Sequence, residues 1–183
     1  MALIILDEKE RAAAREYHDK VMAIVKAKGP NYTGLESPDR FYAGRCGELA
    51  FRKWAESKNL RFEETVRDDG ESDLQDFILY ARQSGRPCTI NVKISLHPAA
   101  RYLMQPADQA ELHHQDMYVA AIGEDDGARV AVILCGAITR KEFEEKAERV
   151  MVKIPTLRVP VADMTYSMER VAKSFQRGDG GLR

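Results

Sequence analysis

Apolar residues recur at helical spacing twice in the first third of the chain. The first helix is predicted over residues 7–28, with Ala13, Tyr17, Val21, Ile24 and Val25 on one face. Gly29-Pro30 then supplies a stop. The second is predicted over residues 38–58, and its apolar stripe is Ala43, Cys46, Gly47, Ala50, Phe51 and Trp54. The opposite face of this second helix carries Arg45, Glu48 and Arg52.

After residue 60 the apolar period changes from helical to strand-like. Short strands are predicted over residues 61–67 and 76–80. The next strand, residues 89–95, alternates cleanly, with Ile90, Val92 and Ile94 on one face and Asn91, Lys93 and Ser95 on the other. Two further apolar runs, residues 117–122 and 130–138, are predicted as buried strands on either side of an acidic turn.

The last third of the chain returns to helices. Thr139 and Glu142 have capping-box spacing, which predicts a helix to about residue 149. A strand near 150–154, an extended segment at 157–161 and a helix over 163–175 follow, while residues 97–114 are expected to be irregular and 178–183 a frayed tail. The pattern predicts one α/β domain over residues 1–183, with a central mixed sheet flanked by helices. Its parts are a helical N-terminal region (7–58), a sheet core (61–161) and a C-terminal helix (163–175).

Composition agrees with a globular chain. It has 183 residues, of which 44% are hydrophobic and 31% charged. A chain of this length can bury a hydrophobic core without disulfides or a structural metal. The apolar opening at residues 1–6 is too short for a secretory signal and lacks a basic flank, so we expect a cytoplasmic protein with no membrane partner. Cys46, Cys88 and Cys135 lack metal-ligand spacing, which predicts reduced thiols.

The overall charge does not indicate a nucleic-acid partner, because the net charge is −1. Binding to DNA would need a local basic patch. The candidates are Arg40, Arg45, Arg52, Lys53, Lys93, Arg101, Arg140 and Lys141. An ordinary solvated charge explains each of them equally well.

Candidate chemistry centres on the strand at 89–95. Lys93 lies within an apolar strand, where a charge is costly unless an anion meets it, and Asp76 begins the preceding strand. Asp76, the Asn91 side-chain oxygen and the Val92 carbonyl are hard oxygen ligands that suit Mg²⁺, with Mn²⁺ as a substitute. Lys93 could orient or deprotonate an attacking water. This set of groups is suited to phosphodiester hydrolysis.

Glu48 in the second helix, Asp76, and the run Asn91-Val92-Lys93 together resemble the PD-(D/E)xK, or restriction-endonuclease-like, nuclease superfamily over residues 40–165. The resemblance implies a restriction-endonuclease-like core and metal-dependent hydrolysis of DNA, with an endonuclease favoured. It makes Glu48 the helix acid and a metal ligand, Asp76 the central metal ligand and Lys93 the catalytic lysine. A homodimer would supply the two sites that a double-strand cutter needs.

One position departs from that family pattern. Asn91 stands where an acidic residue is usual, so the site has one negative charge less and we expect weakened metal binding and catalysis. An alternative is therefore a catalytically inactive, nuclease-derived DNA-binding module. A structural or protein-interaction domain is a third class, and it predicts no DNA binding at low salt.

Individual residues also have plainer interpretations. Glu48 could belong to a helix ion network with Arg45 and Arg52. Lys93 could be an exposed residue of an edge strand, and Asp73 competes with Asp76 for the acidic role. His113-His114 is expected at the surface. Four polar side chains follow the strand that carries Lys93, namely Arg101, Tyr102, Gln105 and Gln109. They could form a loop that contacts substrate, and an ordinary polar loop explains them equally well.

Overall fold

The computed structural model describes residues 1–27, 39–65, 75–112 and 115–176. Several features of the sequence lie outside these ranges. They are the stop at Gly29-Pro30, the competing acid Asp73, the His113-His114 pair and the tail at 178–183.

The described residues begin with a strand and two long helices, β1 (Ala2–Leu6), α1 (Glu8–Ala27) and α2 (Asp39–Ser57). The middle of the chain forms β2 (Phe62–Glu64), β3 (Phe77–Tyr80), β4 (Pro87–Ser95), β5 (Tyr102–Pro106), α3 (Ala107–Leu112), β6 (Met117–Asp125) and β7 (Val130–Thr139). The last elements are α4 (Arg140–Lys146), β8 (Glu148–Met151), β9 (Pro155–Pro160), a short 3₁₀ helix (Val161–Asp163) and α5 (Met168–Phe175).

Six strands form a mixed sheet in the order β1-β7-β6-β4-β3-β2. The inner strands β4 and β6 are parallel, and the other neighbours are antiparallel. The strands β5, β9 and β8 form a second, antiparallel sheet. The fold is therefore α/β with a central mixed sheet, as the sequence pattern predicts.

Helix α2 packs on one face of the six-stranded sheet. Phe51 on the helix meets Phe77 on β3 with ring centroids 4.8 Å apart. Gly47 allows close approach, because a Cβ atom at that position would lie 2.9 Å from Cγ2 of Ile94 on β4. This contact fixes Glu48, the next residue, at the level of the carboxyl half of β4.

The opposite face of the sheet has its own apolar cluster. Its buried members are Leu103, Tyr118, Ala120, Ile138, Phe143 and Val159. They come from β5, β6, β7, α4 and β9, so the three-stranded sheet and α4 cover this face. Apolar packing on both sides makes β4 and β6 the interior strands of the fold.

Most of the helices and strands predicted from periodicity are confirmed. The capping box at Thr139 is present, with the Glu142 carboxylate and the Thr139 hydroxyl each bonded to the other residue's backbone. The three cysteines are free thiols, Cys46 buried and the others half-buried. Two helix ends differ from the prediction. Helix α4 ends at Lys146 rather than near residue 149, and α5 begins at Met168 rather than at residue 163.

Two regions differ from the sequence prediction. Residues 2–6 form the edge strand β1, paired in register with β7, although an uninterrupted apolar run shows no period of two. The segment 97–114, expected to be irregular, contains β5 and α3. Its two prolines masked the alternation, because Pro106 ends the strand and Pro98 lies in the turn before it. No helix in the described ranges is long and apolar enough to cross a membrane.

Candidate active site

Strands β3 and β4 pair over only part of their length. The ladder runs from Tyr80↔Pro87 to Phe77↔Ile90, so the carboxyl half of β4 extends past the start of β3. Asp76 directly precedes β3, and its N–H donates to the carbonyl of Ile90, the residue that the ladder pairs with Phe77, at 2.9 Å. Asp76 therefore lies against β4 next to Asn91, at the point where the regular register of the two strands ends.

The Asp76 side chain serves as the next ladder partner of β4. Its Oδ2 accepts a hydrogen bond from the Val92 N–H. The residue is buried, at 8% exposure. Burial raises the pKa of Asp76 above its usual value, although the Lys93 charge and the Val92 hydrogen bond act to lower it. The acid that the resemblance names as the central metal ligand is therefore buried against β4.

Glu48 lies on the flank of α2 that faces β2. Its Oε2 accepts a hydrogen bond from Arg45 Nη1 at 2.8 Å, and the same Arg45 atom donates to Glu64 at 2.7 Å. Arg52 pairs with Glu64 rather than with Glu48. Burial, followed by the charge of Asp76, raises the pKa of Glu48 to about 8, despite the opposing effect of Arg45.

The ion network predicted around Glu48 is thus confirmed for Arg45, but its second acid is Glu64. Sequence reasoning missed Glu64, which ends the three-residue strand β2 beside Glu63. A strand that short shows no period, so nothing in the sequence distinguishes the two glutamates. Of these two glutamates, Glu64 is the one whose side chain pairs with two arginines, Arg45 and Arg52.

Lys93 is half-buried on an inner strand, with β3 on one side of β4 and β6 on the other. The interpretation of Lys93 as an exposed edge residue is therefore wrong. Burial lowers the pKa of Lys93 below its usual value, and the charges of Asp76 and Glu48 act to raise it. The three predicted charged groups are close enough to shift one another's protonation.

Asn91 is the fourth predicted residue, and it is 5% exposed. Its Oδ1 is buried and has no hydrogen-bond partner among the residues that the structure describes. Native proteins pair nearly all buried polar atoms, and an exception marks a strained, catalytic or ligand-binding position. An unpaired oxygen beside Asp76, on the face that also carries Lys93, is a donor that a hard cation could use.

The carboxylates alone do not make a metal site. No three His, Cys, Asp or Glu side chains in the described ranges are arranged to hold a metal ion. A cation here would therefore need oxygen from Asn91 or from the Val92 carbonyl as well as from Asp76 and Glu48. The residues fit a Mg²⁺ or Mn²⁺ ion in donor type, since all four supply hard oxygen.

The basic patch predicted for DNA is largely occupied by ion pairs. Five of its candidates lie within 4.0 Å of a carboxylate, namely Arg45, Arg52, Lys53, Arg140 and Lys141. Arg101 donates to the carbonyls of Pro98 and Ala100. Contact with phosphate would compete with these partners. In the described residues Lys93, like Arg101, forms no ion pair within that distance.

Comparison with other proteins identifies no relative of this chain. No known protein family matches it, and neither the curated proteins nor the solved structures include a match. The function of the chain must therefore be inferred from the geometry around Asp76, Asn91 and Lys93.

Proposed function

We propose that this chain is a metal-dependent nuclease that hydrolyses phosphodiester bonds in DNA, with endonucleolytic cutting favoured. One observation carries the proposal. Asp76 is hydrogen-bonded to Ile90 and Val92 of β4, Asn91 and Lys93 share one face of that strand, and the charges of Asp76 and Glu48 act on Lys93. These are the residues singled out by the resemblance to PD-(D/E)xK nucleases.

The order of elements supports the same proposal. The helix acid lies on α2, the aspartate directly precedes β3 and the lysine lies on the adjacent β4. The strands β6 and β7 and the helix α4 follow, which is the strand-strand-helix tail that the resemblance implies. A restriction-endonuclease-like core accounts for this order, and it is part of the proposal.

The proposed site divides the chemistry among its residues. Asp76, Asn91, Glu48 and the Val92 carbonyl would hold the cation, which when bound neutralises the phosphate and acidifies a water. Lys93, whose pKa is lowered by burial, can orient that water or accept its proton closer to neutral pH than an exposed lysine could. Arg45 holds Glu48 toward the site. Catalysis thus requires a proton acceptor close to a cage of negative oxygen atoms.

A second function has an observation in its favour. Asn91 contributes no charge, and the described residues lack a cluster of three acidic or soft ligands. A nuclease-derived module that binds DNA without cutting it would have such a site. Metal-dependent cleavage by the native chain excludes this alternative.

The experiment is cleavage of supercoiled plasmid DNA with Mg²⁺ or Mn²⁺, with EDTA as the blank. The native chain should nick the plasmid only with the metal, and Lys93→Ala should cut about 100-fold more slowly or not at all. Lys53→Ala is the matched control, because Lys53 pairs with Glu10 away from β4. Undiminished metal-dependent cutting by folded Lys93→Ala would remove Lys93 from the mechanism.

A further inference from the structure

The chain between β4 and β6 passes over the site. The two strands are parallel neighbours, so the connection must return along their whole length before β6 can start. That connection contains β5 and α3. Leu103 of β5 packs in the cluster with Tyr118 and Ala120 of β6, so the return path lies on the face that these two residues share.

The pairing register shows that Asn91 and Lys93 point toward the same layer. Asn91 pairs with Tyr118, and Lys93 pairs with Ala120. Lateral neighbours in a sheet project from the same face. The site residues of β4 therefore face the layer to which β5 belongs, opposite to the face covered by α2.

Strand β5 directs alternate residues toward that face. Leu103 and Gln105 are each 1% exposed, whereas Tyr102 and Met104 are 41% and 40% exposed. Gln105 thus points inward, two residues beyond the contact made by Leu103. Its burial also makes it a poor direct contact for DNA, which contradicts its interpretation as part of a substrate-contacting surface loop.

The Gln105 amide has an unused oxygen. Its Nε2 donates to Gln109 Oε1 at 3.5 Å, and its Oε1 is buried without a hydrogen-bond partner among the described residues. Asn91 Oδ1, on the face of β4 that looks toward this layer, is also unpaired within those residues. A buried amide oxygen without a donor is a position that a cation, or a water bound to it, would satisfy.

We propose that Gln105 is a further oxygen donor of the cation site, binding the divalent ion or a water in its coordination shell. This inference rests on the proposed metal-dependent function. It makes the crossover between β4 and β6 part of the site, with Gln109 orienting the Gln105 amide from α3. The two neutral amides then supply ligand oxygens in addition to the carboxylates of Asp76 and Glu48.

The test is the affinity for Mn²⁺ of the full chain, measured by electron paramagnetic resonance of the free ion. Gln105→Leu, similar in size but without oxygen, should weaken binding about tenfold. Gln105→Glu should strengthen it, because a carboxylate replaces the amide oxygen. Gln115→Leu is the matched control, since Gln115 is equally buried with an unpaired amide but lies ahead of β6. It should bind Mn²⁺ as the native chain does.

The outcomes separate this inference from the proposed function. Native affinity in folded Gln105→Leu, or unchanged or weaker affinity in Gln105→Glu, would overturn the assignment of Gln105 while leaving the metal site intact. An equal loss in Gln105→Leu and Gln115→Leu would also overturn it, because the effect would then be one of packing. Absence of Mn²⁺ binding by the native chain would instead overturn the metal-dependent function, and the role of Gln105 with it.

Discussion

Two acidic centres flank helix α2, and they differ in how their carboxylates are satisfied. Asp125, at the end of β6, accepts hydrogen bonds from the Tyr42 hydroxyl at 2.7 Å, from Arg11 Nε at 3.0 Å and from the Gly127 N–H at 2.9 Å. Burial acts to raise the pKa of Asp125, but these bonds outweigh it and the pKa is lowered. The folded protein thus prefers Asp125 charged.

The centre at Asp76 has the opposite balance. In the described residues the Asp76 carboxylate accepts a hydrogen bond from the Val92 N–H, and burial raises its pKa and that of Glu48. The fold therefore disfavours the charged forms unless a cation arrives. Asp125 behaves as a structural acid, whereas Asp76 and Glu48 have the environment expected of an acid pair that awaits a positive ligand.

The largest expected difference is in metal affinity, tested with the isosteric pair Asp76→Asn and Asp125→Asn. Asp76→Asn should weaken Mn²⁺ binding about 100-fold or more, because the site loses its central carboxylate. Asp125→Asn should bind as the native chain does. Calorimetric titration measures both. Asp73→Asn is the third arm, and loss of binding there instead would move the site to Asp73.

The same pair should have opposite effects on stability. Asp125→Asn breaks a partly buried network and should lower the free energy of unfolding by about 2 kcal/mol. Asp76→Asn removes a disfavoured charge while retaining an oxygen for the Val92 N–H, so without metal it should be at least as stable as the native chain at neutral pH. Urea denaturation in EDTA checks both. Marked destabilisation by Asp76→Asn would show that Asp76 is structural.

Sequence patterns located residues of the centre at Asp76 but not the partners of Asp125. The helical stripe and the alternation of β4 placed Glu48, Asn91 and Lys93 correctly, because long elements show their period. The role of Asp125 went unrecognised, since its partners Arg11 and Tyr42 lie 114 and 83 residues away in the chain. No local pattern encodes a contact at that separation.

Gln105 shows a second limit of sequence reasoning. A strand of five residues that ends in proline resembles a loop, so the inward direction of Gln105 was not predictable without the register of β5 on β9. The position of Asp76 against Ile90 and Val92 also depends on how β3 pairs with β4, which the pattern within one strand does not specify. The sequence predicts the residue types of the proposed site, and pairing across strands determines which side chains meet.

The smallest effect expected is in the pH dependence of stability without metal. The folded chain raises the pKa of Glu48 to about 8, so it binds a proton that the unfolded chain releases near 4.5. The free energy of unfolding should therefore fall as the pH rises between these values, and Glu48→Gln should flatten that slope. Asp125 has the opposite sign, because its lowered pKa stabilises the fold until acid protonates it.

Denaturation across this pH range, with Glu48→Gln beside Glu10→Gln, separates the two contributions. Glu10 pairs with Lys53 at the surface side of α2, so its variant should keep the slope of the native chain. A native slope in Glu48→Gln would show that Glu48 titrates normally in the folded protein. The site would then lack its second buried acid.

The claim that the face of β4 bearing Asn91 and Lys93 is a cation-dependent nuclease site is tested most directly by Asn91→Asp. The change restores a carboxylate with almost no change in shape. Measured as Mn²⁺-dependent nicking of supercoiled plasmid at matched salt, Asn91→Asp should cut roughly tenfold faster than the native chain, because one added charge beside the ion strengthens its binding. Folded Asn91→Asp that cuts no faster, and binds Mn²⁺ no more tightly, would contradict the claim.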